Sequence, residues 1–185
     1  MKTWSKIAMM VLGLSAWSVL ALAEAPPLAG ATPAPAAFGH VGLATADVTK
    51  AARWYRSVLG FETLGQPTVI DTETSPLGEV ARRLFGRDVR RLRIVQLRAG
   101  SGVGIELFEF LEPRAAVRQP GDSRRVGFLH MALVAGDVDA VVKKVVDNGG
   151  SIVVVGRPDP RKRVVFCTDP DGNVIEIASA KWAGM

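Results

Sequence analysis

The sequence predicts an α+β protein built from two βαβββ modules, and an internal repeat is the main reason. Residues 40–48 read HVGLATADV and residues 130–138 read HMALVAGDV, so a histidine, a leucine and an Asp-Val pair recur 90 residues apart. Gly60 and Gly150 are also 90 residues apart, and each is expected to end a helix that follows the matching segment of its copy. Matches held at several landmarks of a fixed offset are typical of a duplicated structural unit.

Each copy starts with an alternating apolar segment, at 38–45 and 128–135, which predicts a short strand. Asp47 and Asp137 then occupy helix N-cap positions, because their carboxylates can accept hydrogen bonds from the first turn. Glycines end both helices. Three further strands are predicted in each copy, at 61–65, 91–97 and 103–110 in the first and at 151–155, 163–168 and 173–179 in the second.

The first copy carries an insertion that the second lacks. His40 and Glu106 are 66 residues apart, whereas His130 and Glu176 are 46 apart, so the first copy has 20 extra residues. The segment 75–85 within this insertion predicts a short helix.

The first 37 residues are not expected to belong to the folded domain. Residues 1–23 have the layout of a signal peptide: two lysines, an uncharged apolar run and an Ala-Leu-Ala cleavage site. An uncleaved anchor is the alternative, but the apolar run is shorter than the roughly 20 residues that span a bilayer. Residues 24–37, rich in Ala and Pro, indicate an extended tether. We therefore predict an exported protein, periplasmic or secreted, with no stable membrane insertion after cleavage.

The remaining boundaries follow from the repeat. We assign 38–111 to the first module, 112–125 to a linker, 126–180 to the second module and 181–185 to a tail.

Composition excludes some functions. Loss of the signal peptide would reduce the basic residues from 23 to 21 against 18 acidic residues, which is too mild an excess to indicate nucleic-acid binding. Cys167 is the single cysteine, so no intramolecular disulfide can form, and its apolar strand favours a buried thiol over a nucleophile.

The residues that indicate chemistry are two histidines and two glutamates. His40 and His130 are the only histidines of the chain, and they hold equivalent repeat positions. Glu106 and Glu176 also correspond, within GIEL and VIEI, where strand alternation turns each glutamate away from its apolar neighbours. Taken singly, each residue favours a structural role. If a pseudo-twofold axis relates the modules, however, all four can converge on one divalent cation such as Zn, Ni, Co, Fe or Mn.

The chain resembles the vicinal oxygen chelate superfamily, which groups glyoxalase I, methylmalonyl-CoA epimerase, extradiol dioxygenases and the bleomycin and fosfomycin resistance proteins. The segments that carry the resemblance are HVGLATADVTKAARWYRSVLGF at 40–61, GIELFEF at 104–110, HMALVAGDVDA at 130–140 and CTDPDGNVIEIAS at 167–179. The resemblance implies two βαβββ modules that form a strongly curved eight-stranded mixed sheet.

The same resemblance implies metal ligation by His40, Glu106, His130 and Glu176, as in glyoxalase-like members. Four protein ligands favour a metal-dependent lyase or isomerase that transfers a proton next to a carbonyl, with Glu106 or Glu176 as the catalytic base. The alternatives are an extradiol-type dioxygenase and a non-catalytic ligand-binding or resistance protein. The site could form within one chain, or in a homodimer in which the modules pair between chains, and the sequence does not decide between the two.

Arginines crowd the inserted segment and the strand after it, and this cluster of positive charge has two interpretations. They could recognise an anionic small-molecule substrate, or they could form an ordinary solvated face, which is the favoured interpretation. They are Arg82, Arg83, Arg87, Arg90, Arg91 and Arg93. Glu109 lies on the opposite strand face from Glu106, which predicts a surface or structural carboxylate.

Overall fold

A computed structural model describes residues 36–116, 126–156, 159–181 and 183. The signal peptide, most of the tether and most of the linker lie outside the described residues. The predictions made for them therefore stay predictions.

The first module is a four-stranded sheet with two helices. Its strands run in the order β1-β4-β3-β2, with β1 parallel to β4 and the other pairs antiparallel. The elements are β1 (His40–Ala44), α1 (Val48–Leu59), β2 (Glu62–Asp71), α2 (Gly78–Phe85), β3 (Arg91–Arg98) and β4 (Gly104–Glu112).

The second module repeats this arrangement without the inserted helix. Its strands run in the order β5-β8-β7-β6, again with the first strand parallel to the last. The elements are β5 (Met131–Val134), α3 (Val138–Asp147), β6 (Ser151–Val155), β7 (Val164–Thr168) and β8 (Val174–Ala178). The predicted α+β class and the two βαβββ modules are confirmed. The eight strands form two sheets of four, hydrogen-bonded within each module.

The helix ends follow the capping residues in the sequence. Asp47 accepts hydrogen bonds from the amides of Thr49 and Lys50, and Asp137 accepts one from the amide of Ala140. Gly60 ends α1 with φ 74°, a left-handed conformation that favours glycine. The N-cap predictions for both helices are confirmed.

Strand β2 is longer than predicted. The prediction ended it at residue 65, and Gly65 and Pro67 are residues that commonly interrupt strands. In the structure the register shifts between Leu64 and Thr68, and pairing with β3 then continues to Asp71. Proline can be accommodated at such a bulge, where it need not donate to the ladder.

One hydrophobic core lies between the two modules. Strand alternation turns Ile105 and Leu107 of β4 into this core, and Ile175 and Ile177 of β8 enter it from the other module. Both helices contribute to it, with Tyr55, Val58, Val142 and Val145 among the buried residues. The helix-bearing faces of the two sheets therefore bury their apolar side chains in one common core.

Hydrogen bonds also join the modules. Tyr55 Oη donates to Asp169 Oδ2 at 2.9 Å, and Trp54 Nε1 donates to the carbonyl oxygen of Asn148 at 2.9 Å. Thr45 Oγ1 donates a hydrogen bond to Asp171 Oδ2. The Asp-Pro-Asp-Gly turn between β7 and β8 thus contacts the first module as well as closing its own hairpin.

The inserted helix lies on the other face of the first sheet. Ala81 and Phe85 of α2 pack against Ile70, Leu92 and Phe108, in a cluster separate from the core between the modules. Among the described residues, no helix has the length and apolarity needed to cross a membrane.

Candidate metal centre

The first candidate pair consists of His40 and Glu106. Gly42 of β1 is the strand partner of Glu106 on β4, so His40, two residues before Gly42, lies on the same sheet face. His40 Nε2 is 3.6 Å from Glu106 Oε2. Because Ile105 and Leu107 point into the core, this pair lies on the face directed away from it.

The second candidate pair repeats this geometry. His130 precedes β5, Glu176 lies on β8, and their Nε2 and Oε2 atoms are 3.0 Å apart. Ile175 and Ile177 occupy the core side of β8, so Glu176 also faces away from the core. Both glutamate side chains are largely shielded, with relative exposures of 17% for Glu106 and 13% for Glu176.

The residue beside the glutamate on the neighbouring strand differs between the two modules. Gln96 of β3 is the partner of Glu106, and its Nε2 donates to Glu106 Oε1 at 3.2 Å. Phe166 of β7 is the partner of Glu176, and its ring meets the His130 ring edge-on at a centroid distance of 5.3 Å. Gln96 and Phe166 were not singled out from the sequence, although each lies ten residues before its glutamate and the repeat could have identified them.

The structure brings the four predicted residues together as two pairs. Within the described part of the chain, no three His, Cys, Asp or Glu side chains are close enough to hold a metal ion together. The pairs lie on sheet faces that point away from the shared core, which accounts for this separation.

The donor geometry of each pair fits a divalent cation. Imidazole nitrogens and carboxylate oxygens bind zinc at about 2.0–2.2 Å, so two donors on one ion lie about 2.8–3.6 Å apart for donor–metal–donor angles from a right angle to tetrahedral. The distances of 3.0 Å and 3.6 Å fall within this range. Two imidazoles and two carboxylates would complete a four-ligand set with room for water or substrate.

Glu109 has a structural role, as predicted. It is buried, its Oε2 accepts from the backbone amide of Val48 at the start of α1, and Arg93 Nη1 donates to the same oxygen at 3.1 Å. A carboxylate at a helix N-terminus is stabilised by the orphan amides and the helix dipole.

The arginine-rich segment is largely engaged in ion pairs on the protein itself. Arg82 and Arg83 bind Glu79, and Arg93 binds Glu109, while Arg90 lies 3.9 Å from Glu112. The arginines bound to Glu79 hold the pKa of that carboxyl down at about 2. The contacts of Arg82, Arg83 and Arg90 support the interpretation of a solvated charged face. Arg93 is the exception, because its partner Glu109 is buried.

Two buried groups at the junction of the modules have shifted pKa values. Burial raises the pKa of Asp169, although hydrogen bonds from Asn173 and Tyr55 oppose the shift. Burial and the neighbouring carboxylate of Asp169 raise the pKa of the Tyr55 hydroxyl well above its ordinary value. Cys167 is buried, and burial raises the pKa of its thiol, which fits the predicted structural role.

Comparison with known proteins identifies the family. The sequence model of the Glyoxalase/Bleomycin resistance protein/Dioxygenase superfamily matches residues 37–177, which is most of the chain. The chain therefore belongs to this superfamily. No curated protein matches it.

Solved structures of low sequence identity share the fold. A glyoxalase family protein from Bacillus cereus is 20% identical with a TM-score of 0.66, covering 80% of this chain and 97% of its own. The trypanothione-dependent glyoxalase I of Leishmania major is 19% identical with a TM-score of 0.56, covering 81% and 91%. A glyoxalase/bleomycin resistance protein/dioxygenase domain from Frankia sp. EAN1pec is 15% identical with a TM-score of 0.55, covering 79% and 93%.

Proposed function

We propose that the protein is a divalent-metal-dependent enzyme, a glyoxalase I-like lyase or isomerase that moves a proton next to a carbonyl of a small oxygenated substrate. The observation that carries the proposal is the pair of equivalent His–Glu contacts, His40–Glu106 and His130–Glu176. Each has the spacing of two donors on one cation, and each lies on the sheet face opposite the core.

The four side chains would have distinct tasks. A bound divalent ion would polarise a substrate oxygen and so lower the pKa of the adjacent carbon–hydrogen bond. The two imidazoles would hold the ion through neutral nitrogens, and the carboxylates would supply negative charge and a proton acceptor. Gln96 holds Oε1 of Glu106, so that Oε2 faces His40. Glu106 and Glu176 are the two candidate bases.

We further infer that a second copy of the chain completes the site. Each module carries half of the ligand set on its outward face, so two chains related by a twofold axis can bring the first pair of one to the second pair of the other. A large apolar residue two positions before each histidine is exposed, Phe38 at 65% and Phe128 at 73%. Residues Ile152 to Val155 of β6 are exposed as well. Exposed apolar surface of this kind indicates an interaction surface.

Metal stoichiometry tests the metal site directly. The purified protein is loaded in turn with Zn, Ni, Co, Fe and Mn ions, dialysed and assayed for metal per chain, together with the Glu106→Ala variant. We expect about one ion per chain for the wild type and a marked loss for the variant. Wild-type protein that retains no metal from any of these ions would refute the proposal.

Activity assays on the loaded protein distinguish the reaction classes. Solvent-deuterium exchange at a carbon next to a carbonyl, measured by NMR with hemithioacetals of several thiols, is expected for proton transfer. Oxygen uptake with catechols would instead favour ring cleavage. Neither activity, together with tight binding of a small ligand, would favour a non-catalytic binding protein.

A further inference from the structure

The inserted helix α2 packs on the same sheet face as Glu106. Glu106, Phe108 and Phe110 alternate along β4 and therefore share one face. Phe85 of α2 meets the rings of Phe108 and Phe110 edge-on, at centroid distances of 5.1 Å and 5.2 Å. We name these three residues, Phe85, Phe108 and Phe110, the aromatic wall.

Within β4, Phe108 is the member of the aromatic wall that lies closer to Glu106. Gly42 on β1 is the strand partner of Glu106, and a Cβ added to Gly42 would lie 3.0 Å from Cε2 of Phe108. The Phe108 ring therefore extends over β1 at the position that faces Glu106. A glycine at residue 42 leaves the space that the ring occupies.

Among the residues that the structure describes, the second module has no equivalent of this wall. The 20 extra residues occur only in the first copy, where they lengthen β2 and supply α2. The aromatic wall therefore lies beside the first His–Glu pair and not beside the second. Phe108 and Phe85 are only partly buried. An aromatic surface next to a polar site binds a planar or apolar group of a small molecule. The polar atoms of that molecule then face the polar site.

We propose, resting on the function proposed above, that the substrate carries an apolar group, most favourably a planar one, next to its metal-binding oxygens, and that Phe108 contacts this group. Phe85 acts as a positioning residue, because it supports the Phe108 ring from α2. The insertion would thereby set substrate specificity without contributing a metal ligand.

Two chelators with the same metal-binding head test this proposal. Acetohydroxamate and benzohydroxamate bind zinc through the same two oxygens and differ only in the methyl or phenyl group. Their affinities for the zinc-loaded full chain are measured by calorimetry. The quantity compared is the ratio of the two dissociation constants, which removes any change in the metal site itself.

Three variants and one control are compared with the wild type. Phe108→Ala and Phe108→Leu remove the ring, and Phe85→Leu removes its support. Leu84→Ala is the control, since Leu84 lies on the same helix with its side chain 68% exposed. We expect the preference for benzohydroxamate to fall about three- to tenfold in both Phe108 variants, the equivalent of one aromatic contact. A smaller fall is expected for Phe85→Leu and no change for Leu84→Ala.

The outcomes separate the two proposals. If the wild type retains none of the five metal ions, the proposed function fails and takes this inference with it; if it retains another ion but not zinc, the two hydroxamates are compared on that ion. If zinc binds but the ratio is unchanged in the Phe108 variants, only the inference is refuted. Phe108→Leu keeps most of the apolar volume, so it provides the comparison even if Phe108→Ala does not fold.

Discussion

Tyr55 and Asp169, from different modules, form a hydrogen bond of 2.9 Å inside the protein, where Asp169 is only 3% exposed. The carboxylate also accepts from the backbone amides of Asp171 and Asn173 and from the Asn173 side chain. Tyr55 thus fixes helix α1 of the first module to the β7–β8 turn of the second. Because the proposed ligands lie on both modules, this contact also sets how the two His–Glu pairs are oriented.

Removing the Tyr55 hydroxyl is expected to destabilise the protein. Tyr55→Phe keeps the ring in the core but removes one donor to a buried carboxylate, which costs about 1–3 kcal/mol. Urea denaturation followed by tryptophan fluorescence measures the loss. Ser57→Ala, at an exposed position of the same helix, is the control and should change stability by less than about 0.5 kcal/mol. Equal effects of the two substitutions would contradict a structural role for this hydrogen bond.

The effect of Tyr55→Phe should depend on pH. Burial raises the pKa of Asp169 above its ordinary value, so the ionised carboxylate is less stable in the folded than in the unfolded protein. This destabilisation is complete at pH values above the pKa of Asp169 in the folded protein. It disappears as the pH falls below the ordinary pKa of an aspartate. The Tyr55 hydrogen bond favours the ionised form and so lowers the pKa. Its loss should raise the pKa of Asp169 further, and the destabilisation by Tyr55→Phe should shrink as Asp169 becomes protonated.

Two measurements check this pH dependence. Carboxyl carbon NMR gives the pKa of Asp169 in the wild type and in Tyr55→Phe, and denaturation at several pH values gives the difference in stability. A pKa that falls in the variant, or a destabilisation that grows on acidification, would show that the hydrogen bond does not favour the carboxylate.

The sequence predicted most of the fold because the repeat and the local signals agree. Asp47 and Asp137 cap their helices, and the β-branched run of β6 forms a strand with the predicted bounds, because capping and strand propensity depend on neighbouring residues. The continuation of β2 beyond Pro67 was missed, because the bulge that accommodates it depends on pairing with β3. Local pattern cannot reveal such a tertiary contact.

The candidate site was predictable in composition but not in arrangement. Alternation within GIEL and VIEI correctly placed Glu106 and Glu176 on the faces opposite the core. Which faces of the two modules meet depends instead on long-range contacts such as Trp54 with Asn148, which no local pattern encodes. The contribution of Phe85 was missed for the same reason, since the sequence showed a helix in the insertion but not the sheet face that it covers.

Export is proposed from residues 1–23 and predicts a defined mature terminus. The apolar run and the Ala-Leu-Ala site place cleavage after Ala23. N-terminal sequencing of the protein recovered from an extracytoplasmic fraction should begin at Glu24. Ala23→Gln replaces the small residue before the cleavage site and should block processing. Recovery of a chain that starts at Met1 from the wild type would contradict this proposal.

Gln96 is expected to tune the metal affinity through Glu106. Its amide holds one carboxylate oxygen, and residues that orient a metal ligand in this way typically change metal affinity 10–100-fold when replaced. Gln96→Met should therefore weaken zinc binding by about that factor in a competition titration with a chromophoric chelator. Gln66→Met, at an exposed bulge position in β2, is the matched control and should leave the affinity unchanged. Equal affinities of both variants and the wild type would show that Gln96 does not position Glu106.

Mixing two inactive variants tests whether a second copy completes the site. The double variant His40→Ala with Glu106→Ala lacks the first pair, and His130→Ala with Glu176→Ala lacks the second. If one chain's first pair meets its partner's second pair, a mixed dimer contains one site with all four ligands and one with none. We therefore expect each variant alone to bind no metal tightly, and the mixture, after brief unfolding and refolding together, to bind about one ion per mixed dimer. A site formed within one chain cannot be restored in this way. Metal retention by wild-type protein without recovery in the mixture would therefore assign the site to a single chain.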